Sequence, residues 1–440
     1  MRALPTAAVL LASIVVTPAE TREPSGPKPS PSNEPVEAEL AALVQQLVEL
    51  RELPLKKPVQ FERMSAFRAR EAMAEQLERD LSDEEAELQA QLLSGLGLIP
   101  DDYPLKQALL DVIEEQLAGF YDPEKEQLVL VHAAAGSPAE QAGLNQALMR
   151  RLTLIHELAH ALADQHFDLE NMLHEPVEKR RDDQLLARRA LAEGDATFVS
   201  LLDMLESQGL PISPETFPDA AMLRSMGSSS IDSGLFPAYE DAPEFIRSLL
   251  AEPYLLGLML VVDTWREGGW PAVNALWRSP PASSEQLLHP ERRSDQPVAV
   301  SLSEMVSEPW KLATSSELGE LGIKMWLALE LDEQTAARAA EGWDGDRAGM
   351  LVSMAPDAES DETLARERIV WHSVWDDADE ATEFSQAAED WLRKAGDRVL
   401  SWLIAQRGAR IELSVEPRRA EIVTVPEDPW EGVEVKGSSP

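Results

Sequence analysis

The chain contains no cysteine in its 440 residues. That excludes a disulfide framework, a thiolate metal site and a lipidated cysteine as membrane anchor. Any metal has to be held by imidazole and carboxylate groups. Basic residues are also in deficit, 39 Lys and Arg against 79 Asp and Glu, which leaves a net charge of −40. A surface of that sign repels nucleic acid and anionic membranes, so neither is expected as a partner. The most apolar stretches, Ala7 to Val16 and Tyr254 to Val262, fall short of the ~20 residues a membrane span needs. No stable membrane insertion of the mature chain is expected. Histidine is sparse as well, with seven in all, so its placement is informative.

Four of the seven, His156, His160, His166 and His174, fall within nineteen positions. The stretch Thr153 to Phe167, TLIHELAHALADQHF, carries H-E-x-x-H at His156, Glu157 and His160. On an α-helix, residues four apart rise ~6 Å on one face, close enough to grip one ion. Glu157, beside the first ligand, is placed to take a proton from an activated water, as zinc hydrolases require. Leu152, Ile155, Ala159, Leu162 and Ala163 recur at helical spacing with no Gly or Pro from Leu144 to Phe167, so the motif is expected on a buried helix.

A third ligand has two candidates. The second helical stretch, Asp183 to Leu202, contains Glu193-Gly194-Asp195-Ala196, and an inward Glu193 would complete a His₂Glu set. Asp195 and Asp164 are then candidates to orient an imidazole through its other ring nitrogen. The rival is His166, at the spacing metzincins use, but Ala163 stands where those proteins need Gly to turn the chain. A helix that continues carries His166 roughly 600° past His160, away from the ion. Downstream, His289 and Tyr254 are candidate donors to a developing oxyanion.

Around this motif the chain divides by texture. Residues 1–19, a basic start, an apolar run and small residues, are expected to be a signal peptide, making the protein secreted or periplasmic. Residues 20–36 are a Pro and Ser rich linker expected to be disordered. Residues 37–205 form the expected catalytic core, with helices from 37 to 117 layered on the motif helix. In the same region Gly119 to Pro123 is read as a turn, and Gln127 to Val131 as a strand whose edge could hold an extended peptide. Next come a loop (206–242), a helical subdomain completing the cleft (243–365), a small α+β unit (366–425) and a loose tail (426–440). The expected fold class is α+β and predominantly helical, with a small antiparallel sheet beside the motif helix.

HELAHALADQHF followed by ALAEGDA, and preceded by LAGFYDPEKEQLVLV, resembles a family of mostly uncharacterised bacterial secreted proteins classed as zinc metallopeptidases of the gluzincin type. Pro253-Tyr254 with Gly257, PPASSEQLLHPE (280–291), Leu318-Gly319-Glu320 and GWDGDR (342–347) are similar to features of the same family. The resemblance implies a zincin-like catalytic domain, one Zn²⁺ per chain held by His156, His160 and Glu193, and Glu157 as catalytic base. It implies a peptide or protein substrate. Two other readings stand beside it. One is a secreted scaffold or binding protein that zinc merely stabilises; the other is a metal hydrolase acting on something other than peptides.

Overall fold

The structure is a computed structural model describing residues 34–115, 119–132, 146–173, 181–210, 212–215, 217–219, 222, 237–302, 306, 308–354, 367–396 and 401–416. The expected signal peptide, nearly all of the linker, the tail, His174 and the end of the expected α+β unit (417–425) lie outside these residues. The fold is α+β and predominantly helical.

At its centre lies helix α5 (Gln146–Phe167), which carries the H-E-x-x-H motif. Its Leu154, Ile155, Leu158 and Leu162 are buried, and helices α1 (Glu34–Arg51) and α7 (Asp182–Ser207) pack on it. Helix α1 buries Leu40, Leu43 and Leu47, one apolar stripe at three and four residue spacing. Helices α2 (Ala66–Asp80), α3 (Asp83–Gly95) and α4 (Leu105–Glu115) complete the layer read from composition. Two of their starts are set locally: Ser65 caps α2, and Ser82 with Glu85 forms a capping box on α3.

A three-stranded sheet flanks α5: β1 (Gln60–Ser65), β2 (Gly119–Asp122) and β3 (Gln127–His132), in the order β1-β3-β2. It corrects four expectations. Strand β1 interrupts the helical run, and because it pairs parallel to β3 the sheet is mixed rather than antiparallel. Gly119 to Asp122 is a buried strand, and the turn follows it. Strand β3 is central, so both of its edges are already bonded and neither can add a peptide strand.

Beyond α5 come the short α6 (Leu169–Leu173) and α8 (Pro237–Asp241), then the 35-residue α9 (Glu244–Arg278). By length and hydropathy α9 could cross a membrane, yet 56% of its most apolar window is buried inside the molecule. It packs along α7 and bends at Gly268-Gly269, where Gly269 takes φ 63°, a backbone conformation that only glycine adopts at little cost. The bend brings Trp270 back toward Phe198 and Trp265.

The C-terminal unit begins earlier than composition suggested. Five antiparallel strands, β4 (Trp310–Ser316), β5 (Trp343–Ser353), β6 (Glu367–Trp375), β7 (Ser401–Arg407) and β8 (Arg410–Glu416), lie in the order β4-β5-β6-β8-β7. Strands β4 and β5 fall within the segment expected to be helical, because the Gly and Asp of GWDGDR mask a strand. After the short α10 (Glu285–Leu288), helices α11 (Gly319–Ala328) and α13 (Ala378–Ala395) cover this sheet, and α12 (Glu333–Ala340) packs on both of them. Trp326, Trp371, Trp375, Trp391 and Phe384 interlock there, and each such buried side chain contributes ~1.5–3 kcal/mol of hydrophobic stabilisation.

Candidate metal centre

Helix α5 projects His156 and His160 from one face, and α7 projects Glu193 toward them. Among the described residues these three form the only group of His and acidic side chains with converging ligand atoms. The Nε2 atoms of His156 and His160 are 3.1 Å apart, and a Glu193 carboxylate oxygen lies 3.2 Å from His156 Nε2 and 3.4 Å from His160 Nε2. Bonds of 2.0–2.1 Å to one tetrahedral ion place its donors ~3.3 Å apart. The donor set therefore fits a small divalent cation, with two imidazoles and a carboxylate as the borderline ligands that zinc accepts. Burial of His156 and His160 is complete, and Glu193 is 2% exposed.

Two glycines make this approach achievable. A Cβ on Gly194 would fall inside the backbone of Gly257, and one on Gly257 inside the carbonyl of Ala190, so α7 and α9 touch backbone to backbone. That contact places Tyr254, one turn before Gly257, beside Glu193, whose charge acts on its hydroxyl. Burial, then the Glu193 charge, pushes the Tyr254 hydroxyl well above its usual pKa. Glu193 itself is opposed by burial, but the two imidazoles outweigh that and hold it down at about 2. Burial lowers His156, while His160 is raised because the Glu193 and Glu157 carboxylates outweigh burial there.

Glu157 is fully buried, and one of its oxygens accepts the Tyr121 backbone N–H at 2.8 Å. The other oxygen has no hydrogen-bond partner. Burial lifts its carboxyl to about 8, the Glu193 charge adding to the rise while His160 opposes it. A cation between the imidazoles would reverse that balance in favour of the carboxylate. Tyr121 does double duty on β2, since its hydroxyl donates to Asp164 at 2.7 Å.

The expected orienting carboxylates do other work. Asp164 takes the Tyr121 hydroxyl and the Leu169 N–H, and α5 ends there, with Asp168 at φ 58°. Asp195 accepts two nitrogens of Arg51 at 2.9 and 3.0 Å and the Trp277 indole N–H at 2.7 Å. Neither bonds an imidazole, and the Nδ1 atoms of His156 and His160 have no hydrogen-bond partner. Asp195 lies on the side of α7 that faces α1 and α9, so a buried guanidinium captures it instead. His166 points away from the group and its Nε2 meets the Pro54 carbonyl at 2.7 Å, as an uninterrupted helix through Ala163 requires. His289 pairs with Glu320 at 2.7 Å, and the charges acting on it are Glu320, Glu341 and Glu291, none of them in the metal group. Of the two candidate oxyanion donors only Tyr254 is brought to the centre.

A family model described as a domain of unknown function, DUF8575, matches residues 308–433. The match takes in the five-stranded sheet and none of the metal group. No curated protein and no solved structure matches the chain.

Proposed function

We propose that the protein is a zinc-dependent peptidase of gluzincin type, exported from the cytoplasm, in which His156, His160 and Glu193 hold one ion and Glu157 is the general base. The observation that supports this most is the Glu157 carboxylate: one oxygen is anchored by Tyr121 and the other is unpartnered, beside three donors spaced for one ion. A site built only to staple helices has no use for a buried acid in that position. Bound zinc supplies Lewis-acid activation of water and of a carbonyl. Glu157 then takes the water proton on its free oxygen and delivers it to the leaving amine, while the Tyr121 N–H keeps the carboxylate from rotating. Tyr254 stands beside Glu193 and is the candidate donor to a developing oxyanion.

The second reading, a zinc-stabilised scaffold, is favoured by the burial of all three ligands. One experiment separates the two. Full-length protein at stoichiometric zinc is incubated with a broad peptide library, with and without chelator, alongside Glu157→Gln. The peptidase reading expects chelator-sensitive cleavage that falls at least 10³-fold in Glu157→Gln while zinc content stays at one per chain. Equal cleavage by the two proteins removes Glu157 as base; no cleavage by either favours the scaffold.

A further inference from the structure

The backbone contact that joins α7 to α9 has a second consequence. On the N-terminal side of Gly194 and Gly257 the two helices leave a cavity of about 80 Å³. Asp182, Leu186 and Arg189 line it from α7, and Phe245, Leu249 and Pro253 from α9. Asp182, Leu186 and Arg189 precede Glu193 by eleven, seven and four residues, which places all of them within ~40° of it around the helix. The cavity therefore runs along the same stripe of α7 that ends in the metal-facing carboxylate. Its inner wall, Arg189 and Pro253, lies one turn, ~6 Å, from Glu193 and directly beside Tyr254.

We infer that this cavity receives the side chain of the substrate residue adjoining the bond cleaved at the metal group, and that it selects an aliphatic side chain of valine, leucine, isoleucine or methionine size. The inference rests on the peptidase reading. An extended peptide advances ~3.5 Å per residue, so a cavity whose near wall is one helical turn from the ligands is within reach of the residue flanking the cleaved bond. Size decides the class. An apolar cavity of ~150 Å³ takes up benzene, so about 80 Å³ admits a branched aliphatic group and excludes phenyl and indole rings. Leu93, Leu185 and Met325 extend the apolar lining.

The far end offers a competing ligand, a substrate lysine or arginine, because Glu317 lines it, is 5% exposed and has one oxygen without a hydrogen-bond partner. Two observations weigh against it. Arg181 and Arg347 already act on Glu317, and burial with the Asp183 charge holds the carboxyl at about 8, so at neutral pH it carries little of the charge a cation would seek.

The test uses full-length zinc-loaded protein and a mixture of peptides whose cleavage sites are read by mass spectrometry. Expected is an enrichment of at least tenfold for Leu, Ile, Val or Met at one position flanking the cleaved bond, within the range that single methylenes in a pocket provide. Leu249 and Leu186 are both half-buried, so each can be changed with limited damage to the core. Leu249→Ala enlarges the cavity and raises kcat/KM for Phe over Leu at that position at least tenfold. Leu186→Trp fills it and shifts the preference to Ala and Gly, zinc content being unchanged in both. A preference that neither variant moves, or one for Lys or Arg, overturns the assignment.

Binding keeps the two readings apart. Glu157→Gln protein, alone and combined with Leu249→Ala, is titrated calorimetrically with tetrapeptide amides carrying Leu, Phe or Ala at the selected position. Leu-selective binding relaxed by Leu249→Ala, in a protein whose parent cleaves nothing, sinks the peptidase reading and keeps the cavity as a side-chain site. Chelator-sensitive cleavage without side-chain selectivity in either assay sinks the cavity and leaves the peptidase standing.

Discussion

Asp195→Asn separates two roles that the EGDA segment could play. In the structure Asp195 is 4% exposed and pairs with Arg51, which is 2% exposed and stacks over Trp270 at 4.2 Å. The amide keeps the shape of the side chain and can still accept from Trp277, but it leaves the guanidinium buried without its counter-charge. Breaking a buried pair in this way costs about 3–5 kcal/mol. For a cooperative unit of ~400 residues the unfolding entropy is on the order of 0.8 kcal/mol per degree, so Tm should fall by about 5 °C. Metal affinity should change by less than about fivefold, ~1 kcal/mol, because Asp195 bonds neither imidazole. Calorimetric melting and competitive zinc titration on the same preparations give both numbers. An unchanged Tm with a 10–100-fold loss of zinc affinity, the signature of a lost ligand-orienting carboxylate, would refute the anchoring role.

Three further outcomes are expected. Gly257→Ala forces α7 and α9 apart by on the order of 1 Å, so zinc affinity measured by competition should fall at least tenfold along with stability; unchanged affinity would mean the contact does not set the Glu193 position. Tyr254→Phe removes the hydroxyl beside Glu193 and, if that group orients the carboxylate, should weaken zinc binding 10–100-fold while the far-ultraviolet spectrum stays as in the parent protein. Stability should decline as pH rises from about 5 to 8, because burial raises Asp183 to about 7 and Glu317 to about 8 in the folded chain. Groups raised on folding stabilise fully below their unfolded pKa, and that contribution, about 4–5 kcal/mol at most per group, is lost as pH passes their folded values. Urea titrations across this range should show a shallower slope in Glu317→Gln.

What could be read in advance follows the range of the interactions involved. His156, Glu157 and His160 share one helix, so a spacing of four fixes their geometry, and the missing Gly at Ala163 places His166 correctly outside the group. Glu193 was legible because a carboxylate on a neighbouring helix is a simple demand of the chemistry. The partners of Asp195 were not, since Arg51 is 144 positions away and Trp277 is 82, and nothing local marks either. Tyr121 stood in a segment read as a turn, because Gly119 and Pro123 bracket only four residues of strand. Strand β1, QFERMS, was hidden by charged residues that an edge strand tolerates on its open side, and β5 by the glycines and aspartates at its start. The signals that failed were those in which tertiary pairing overrides local texture.

The buried Asp346 gives the GWDGDR segment its purpose. It accepts the backbone N–H groups of Leu318 and Gly319 and the indole N–H groups of Trp343 and Trp371, while the Ser316 hydroxyl and the Glu317 N–H close over Asp182 and the Ser284 N–H over Asp183. Helix α7 has no side-chain cap of its own at Arg181, so its first turn borrows its solvation from the C-terminal sheet and its neighbours. Deleting everything after Leu302 would strip the helix that bears Glu193 of its foundation, and the two halves of the chain accordingly stand or melt as one body.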